Sequence, residues 1–306
     1  MIDIRQRLRR METRYTFEDL AGCSPSFLAL VQTAKSAALT PASILIEGES
    51  GTGKSMLAQA IHNASRRRTQ SFVSVDCAAR GELLENELAD LVKEATRGTL
   101  YMANVDSISR EMQRKLLTAM ASREVRLLSS TKTPLSKMAD AGFSSELLTR
   151  LRVFHLPIPP LRERIDDVAE IAMYFINLYN AILDRRISGI DSAAVELLKA
   201  QAWPGNVREL ENVLSKTIVN MDGGSEQIQI INILNFLENS SRNAAASSQA
   251  AFGSITVRLA DAVNATERAH IANALAQGGG DKNKAAAALD IPLRTLYYKC
   301  KKLGIM

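Results

Sequence analysis

Cysteine is scarce in this 306-residue chain, with Cys23, Cys77 and Cys300 far apart and no C-x-x-C pairing. That pattern excludes a zinc ribbon or a disulfide framework and suits a reducing cytoplasm. Long apolar runs are missing as well. Nothing approaches the roughly 20 residues that cross a bilayer, so the chain reads as having no membrane partner. The first ten residues, Met1-Ile-Asp-Ile-Arg-Gln-Arg-Leu-Arg-Arg10, lack the apolar stretch of a secretory signal. These absences together predict a cytoplasmic protein.

What is present is enough apolar material, 46% of the residues, to build sizeable cores in two or more domains. Short β-rich apolar runs at 43–47, 71–77, 99–105, 125–131 and 153–158 alternate with helical patterns. That alternation argues an α/β fold with a parallel sheet covered by helices. Pro159-Pro160 closes the last run. From about Asp166 only helical periodicity follows, as in Asp167-Val-Ala-Glu-Ile-Ala-Met-Tyr-Phe175, which predicts a smaller helical lid. The expected organisation is a basic segment over 1–14, an α/β subdomain over 15–164, a helical lid over 165–238, a small polar linker over 239–255 and a helical domain over 256–306.

One string carries chemistry. Ile46-Glu-Gly-Glu-Ser-Gly-Thr-Gly-Lys-Ser55 matches G-x-x-x-x-G-K-[ST], entered from an apolar strand and followed by a helical pattern. Glycines let consecutive backbone N–H groups curl around a phosphate without a Cβ clash. Over Gly48, Glu49, Ser50, Gly51, Thr52, Gly53, Lys54 and Ser55 the loop predicts a triphosphate site. Lys54 supplies charge to the outer phosphates, the Ser55 hydroxyl ligates Mg²⁺, and a helix starting at the lysine aims its dipole at the anion. ATP and Mg²⁺ are the expected cofactors.

The chain's net charge of +5 is concentrated at one end: residues 281–306 carry Lys282, Lys284, Arg294, Lys299, Lys301 and Lys302 against Asp281 and Asp290. Gly278-Gly-Gly280 stops a preceding helical pattern, and Asp290-Ile-Pro292 separates a short helix from a basic one. Helix, turn and basic helix predict a helix-turn-helix facing double-stranded DNA, either operator or enhancer. On the last helix Leu296, Cys300 and Leu303 share one side, and Arg294, Tyr298, Lys301 and Lys302 lie opposite. Arg294, nearest the helix N-terminus, is the candidate for a guanine edge. The lysines, Lys299 included, together with Thr295 and Tyr298, complete the DNA-facing set. A solvated helix face, or a partner-binding module, is the plainer alternative.

In this order the pieces resemble bacterial enhancer-binding proteins, the AAA+ activators of sigma-54 RNA polymerase, over nearly the whole chain. Tyr15-Thr-Phe-Glu-Asp-Leu-Ala-Gly22 is similar to the family's leading segment, and Gly48 to Ser55 to its Walker A loop. Pro159-Pro-Leu-Arg-Glu-Arg-Ile-Asp-Asp167 is similar to its joint between sheet and lid, and Trp203-Pro-Gly-Asn-Val-Arg-Glu-Leu-Glu-Asn212 to its sensor II signature. The C-terminal block resembles a Fis-type helix-turn-helix. The resemblance implies an AAA+ P-loop sheet with a helical lid, followed by an all-α DNA-binding domain. It makes Arg208 the lid arginine that reaches the phosphates. It makes Arg150 a candidate arginine offered to a neighbouring subunit's nucleotide, which implies a homo-oligomer or a hetero-oligomer with a paralogue. No receiver or sensor segment precedes residue 15, so 1–14 reads as a natural start or as the stub of a longer regulator.

The departures from that family matter as much. Where it closes its Walker B strand with Asp-Glu, this chain has Ala103-Asn104. Neither side chain can take a proton from water. A shifted reading puts Asp106 in the metal position but leaves Ser107 in the glutamate slot. Ala-Ala-Thr-Asn becomes Ser129-Ser-Thr-Lys132, and the first of two trans-acting arginines becomes Ser144. The loop bearing Gly-Ala-Phe-Thr-Gly-Ala, which grips sigma-54, is missing between Leu88 and Arg97. Each lost group costs catalysis, at tenfold in rate per 1.4 kcal/mol. The expected protein is therefore a degenerate AAA+ ATPase: a transcription regulator that binds ATP, hydrolyses it poorly or not at all, does not engage sigma-54 through the usual loop, and regulates through the housekeeping RNA polymerase or by repression. A working ATPase that remodels sigma-54 polymerase and a subunit that tunes an active paralogue are the alternatives.

Overall fold

The computed structural model describes residues 15–81, 83–120, 124–221, 227–234 and 282. The chain divides into two units, 1–244 and 245–306, and every described residue except Lys282 belongs to the first.

Five parallel strands form the centre: β1 Ile44–Glu47, β2 Phe72–Asp76, β3 Thr99–Ala103, β4 Arg126–Thr131 and β5 Phe154–Pro157, in the spatial order β2-β3-β4-β1-β5. All five runs expected from the sequence are strands. The near-continuous burial of β1, β3 and β4 reflects helices on both faces, as a parallel sheet requires, and the edge strand β5 is more open. On one face Leu45, Val73, Val75, Leu100 and Met102 pack with the helical residues Leu84, Leu88, Met112, Leu116 and Leu147. On the other, Ile44, Ile46, Phe72, Tyr101 and Leu128 pack against α1 Pro25–Ala38 and α2 Lys54–Asn63.

Two local devices place these helices. Pro25 opens α1 in the first turn, where the missing N–H costs nothing. At its far end the carbonyls of Ala37 and Ala38, and that of Ala42 in the loop beyond, accept from the Arg126 guanidinium at 2.7, 3.1 and 3.4 Å. Arg126 is only 1% exposed, and burial, helped by Arg67, lowers its pKa to about 10.

The lid includes α8 Asp167–Leu183, α9 Ser192–Lys199 and α10 Asn206–Asn220, numbered after α3 Cys77–Arg80, α4 Leu83–Glu94, α5 Arg110–Met120, α6 Leu135–Asp140 and α7 Ser145–Leu151 of the α/β layer, and residues 230–234 are helical as well. Its core is Val168, Ile171, Phe175, Leu198, Trp203, Leu210 and Leu214. The purely helical expectation needs one correction: β6 Gly189–Ile190 pairs in parallel with β7 Gln227–Ile228. Two-residue strands leave no periodicity to detect.

Sheet and lid meet at a buried ion pair. Asp167 accepts from the backbone N–H of Cys23 at 2.8 Å and of Ser24 at 2.6 Å, and from the Ser24 hydroxyl at 2.9 Å. Arg164 lies 3.6 Å from Asp167, 4.4 Å over the Phe27 ring, and donates to the Thr52 carbonyl. One carboxylate therefore ties the leading segment, the lid and the phosphate-loop region together.

Candidate nucleotide site

Because every strand of the sheet runs the same way, β1 to β4 all end at one edge, the usual place for a ligand in such folds. The loop Gly48–Gly53 leaves β1 there and turns into α2 at Lys54. Gly51 and Gly53 hold φ of 81° and 100°, values that L side chains avoid. Gly51 is also fixed by space, since a Cβ on it would lie 2.2 Å from the Gly205 carbonyl oxygen of the lid.

A cavity of about 490 Å³ opens over this edge. Lys54, Ser55, Lys132 and Arg208 line it. Lys54 Nζ donates to the carbonyls of Gly48 and Glu49 at 2.6 and 2.7 Å. Burial, with Arg208 and Lys132 nearby, lowers its pKa to about 8. The Ser55 hydroxyl sits 3.3 Å from Tyr101 Oη, which in turn meets Ser130 Oγ at 2.8 Å. Burial raises the Tyr101 phenol.

The lid holds the loop from above. Arg208 donates its backbone N–H to the Gly51 carbonyl at 3.3 Å and its guanidinium to Ser50 Oγ at 3.2 Å. Asn206, left-handed at φ 54°, accepts from Leu161 N–H at 2.8 Å and donates to Glu49 and the Ser50 carbonyl, both at 3.1 Å. Arg162 grips the Glu49 carboxylate through two hydrogen bonds of 2.8 and 2.6 Å. That grip, then Asn206, holds the Glu49 carboxyl down at about 2 against a smaller opposing effect of burial. Thr52 turns inward and donates to the Glu49 carbonyl at 2.9 Å. Residues 48–55 and Arg208 are thus gathered at one place.

The cavity also extends into an apolar slot that motif reading missed. Leu20, Ala21, Phe27, Met56, Ile171, Tyr174, Phe175 and Val207 line it, and it shares Gly53, Met56, Tyr174, Phe175 and Val207 with the phosphate end. The slot is narrow, about 40 Å³, and Asp19 and Arg164 also border it. Four separate stretches of chain supply its walls, so no short string announces the slot.

At the far wall β3 ends in Ala103-Asn104, and neither residue is acidic. Asp106 does not line the cavity. One of its oxygens accepts from Thr133 Oγ1 at 2.6 Å and the other is buried without a partner. Asp76, at the end of β2, does line it, as does Glu211 of the lid. Among the described residues no cluster of three or more His, Cys, Asp or Glu could hold a metal. The donor set fits Mg²⁺ brought in on a nucleotide's phosphates, with the Ser55 hydroxyl adding an oxygen, and does not fit a cage made by the protein.

Arg150, the candidate for a neighbour's nucleotide, is outside this cavity. It sits on α7 in an i,i+4 pair with Glu146 at 2.9 Å, both partly exposed. Ser144 caps the same helix at Leu147 N–H. Helix α4 runs unbroken from Leu83 to Glu94, and Thr99 already belongs to β3. The DNA-facing candidates Arg294, Thr295, Tyr298, Lys299, Lys301 and Lys302 lie outside the described residues, as do 1–14 and the linker at 239–255. No helix among the described residues is long and apolar enough to cross a membrane.

Comparison with known proteins agrees with this geometry. The family model of the sigma-54 interaction domain matches residues 20–91 and 85–157, that of the AAA+ ATPase lid domain 162–250, and that of the Fis-family bacterial regulatory protein 262–303. The regulatory protein AtoC of Escherichia coli is 32% identical over 99% of this chain and 71% of its own. A signal-transduction and transcriptional-control protein of Clostridium beijerinckii is 32% identical over 95% of this chain and 49% of its own. The chain therefore spans between about half and seven tenths of these relatives. The crystal structure of NtrX from Brucella abortus in complex with ATP superposes with a TM-score of 0.65 at 25% identity, covering 98% of this chain and 71% of that one.

Proposed function

The chain belongs to the family of bacterial regulators that join a sigma-54 interaction domain and an AAA+ lid to a Fis-type helix-turn-helix, and from that premise we propose a transcription regulator that holds ATP as a ligand and turns it over poorly. The observation that carries this reading is a contrast within one cavity. Lys54, Ser55 and Arg208 converge where a triphosphate would sit, while β3, between β2 and β4, ends without a carboxylate. A nucleotide in the cavity that loop and lid residues line together would join the lid to the sheet, so it stabilises that arrangement in proportion to its affinity.

In this reading Gly48 to Ser55 and Arg208 bind ATP with its Mg²⁺. Arg150 faces the nucleotide of an adjacent copy once its pair with Glu146 opens, making the protein an oligomer of its own kind or with a paralogue. Arg294, Thr295, Tyr298, Lys299, Lys301 and Lys302 read or grip operator or enhancer DNA from the 256–306 domain, in the cytoplasm. The direct run from α4 to β3, and the match of the sigma-54 model in two pieces, support a regulator that does not engage sigma-54 through the usual loop.

The test uses one preparation of the full chain. ATP affinity is measured with a fluorescent ATP analogue and turnover by phosphate release. Tight binding that depends on Lys54, with turnover far below that of a motor, supports the reading. Rapid turnover abolished by Lys54→Ala refutes it.

A further inference from the structure

We propose that Asp76 is the proton acceptor for a slow hydrolysis of the bound triphosphate, held in place by the Asn104 amide. The inference rests on the nucleotide reading above and assigns a chemical role inside the same cavity. Asp76 and Ala103 are register partners across the β2–β3 pair, so the Asp76 backbone stands about one strand spacing, ~4.8 Å, from the Ala103 position that carries no carboxylate. Asn104 adopts a left-handed conformation, φ 53° and ψ 48°, and its side-chain N–H donates to Asp76 Oδ1 at 2.9 Å. The backbone N–H of Ala78 donates to the same oxygen at 3.0 Å. Both donors therefore fix one carboxylate oxygen, and Oδ2 accepts no hydrogen bond from the described residues.

A base whose second oxygen is pinned by an orienting group is the arrangement that general-base chemistry needs. Glu211, the cavity's other acid, sits on the lid helix one turn beyond Arg208 and has no such orienting donor among the described residues. Lys54 and Lys132 line the same cavity and would offset charge on the phosphates. In the step, the water oxygen bonds to the γ-phosphorus as the bond from that phosphorus to the β–γ bridging oxygen breaks. The bridging electron pair leaves with ADP, and the water proton passes to Asp76 Oδ2 and then to solvent. The carboxylate that β3 lacks is supplied from the neighbouring strand, and the residue in its old place keeps it oriented.

The test follows phosphate release from γ-labelled ATP under single-turnover conditions, using the full chain, with the affinity of a fluorescent ATP analogue measured alongside. Lys54→Ala sets the background. We expect slow release above background from the unaltered chain, and release about 100-fold slower for Asp76→Asn at an affinity within about twofold. Asn104→Ala should slow release about tenfold at unchanged affinity, and Asp76→Glu should recover part of the rate. Release from Asp76→Asn at the unaltered rate overturns the proposal. So does tight binding with no release above background, and so does a rate that falls only in step with affinity. Failure of the unaltered chain to bind the analogue is a different result, and it removes the nucleotide reading itself.

Discussion

Replacing Asp167 by alanine tests how strongly the joint between sheet and lid depends on one buried charge. The carboxylate is fully buried and satisfies the N–H groups of Cys23 and Ser24 and the Ser24 hydroxyl, with Arg164 beside it at 3.6 Å. Removing one member of a buried pair strands the other, which typically costs 3–5 kcal/mol. Two backbone donors also lose a charged acceptor, though water admitted by the smaller side chain recovers part of that. We expect a loss of about 4 kcal/mol in unfolding free energy, equivalent to about 8–16 °C in the midpoint for a unit of this size. Urea unfolding followed by fluorescence is the natural assay, because Trp203 is the chain's only tryptophan and is buried in the lid core. The mechanism makes a sharper claim through a double variant. Arg164→Leu removes the stranded guanidinium, so Arg164→Leu/Asp167→Ala should be more stable than the sum of the two single losses by about 2 kcal/mol. A single-variant loss below about 1 kcal/mol, or strict additivity, would refute the reasoning.

Lys54→Ala should weaken ATP binding ten- to a hundredfold, as loss of a charged hydrogen bond does, read by fluorescence of a bound ATP analogue. Since the Lys54 pKa in the free pocket is about 8 and a bound triphosphate raises it, binding should take up a proton above pH 8. Affinity should then fall as pH rises through that value, by up to tenfold per unit, and calorimetry in two buffers of different ionisation heat checks the uptake. Gly51→Ala forces a side chain against the Gly205 carbonyl at a positive φ, so it should cost about 1–3 kcal/mol and at least tenfold in ATP affinity. On the DNA side, Arg294→Ala should relax preference at one base pair at a cost of about 1–3 kcal/mol, whereas Lys301→Ala should weaken all sequences alike and lower the salt slope by about one. Equal loss of specificity from both, in competition binding, contradicts those roles.

The strands were legible because each is a short apolar run bounded by polar turns, and the phosphate loop because its spacing is a backbone requirement. Other features depend on arrangement rather than on local pattern. Asp76 reads locally as the cap of a short helix, which it is, donating nothing to a motif. Only the placement of β2 beside β3 brings it to Asn104. Glu49 lies inside the motif string, yet its grip by Arg162 and Asn206 joins residues more than 100 positions apart. Arg126 looks like a polar strand terminus and is instead deeply buried, where it donates to the carbonyls of Ala37 and Ala38 at the end of a distant helix and of Ala42 in the loop beyond it. The β6–β7 pair is too brief for any period to register.

That distant donor also orders events in time. In the last turn of α1 the Ala37 carbonyl has Thr40 as a local donor through its N–H and hydroxyl, whereas the Ala38 carbonyl takes its donor among the described residues from the Arg126 guanidinium, 88 residues further along the chain. During refolding, amide protons near the end of α1 should therefore keep exchanging with solvent until β4 has joined the sheet. In the native protein the helix end and the strand should open together, as one cooperative patch of protection.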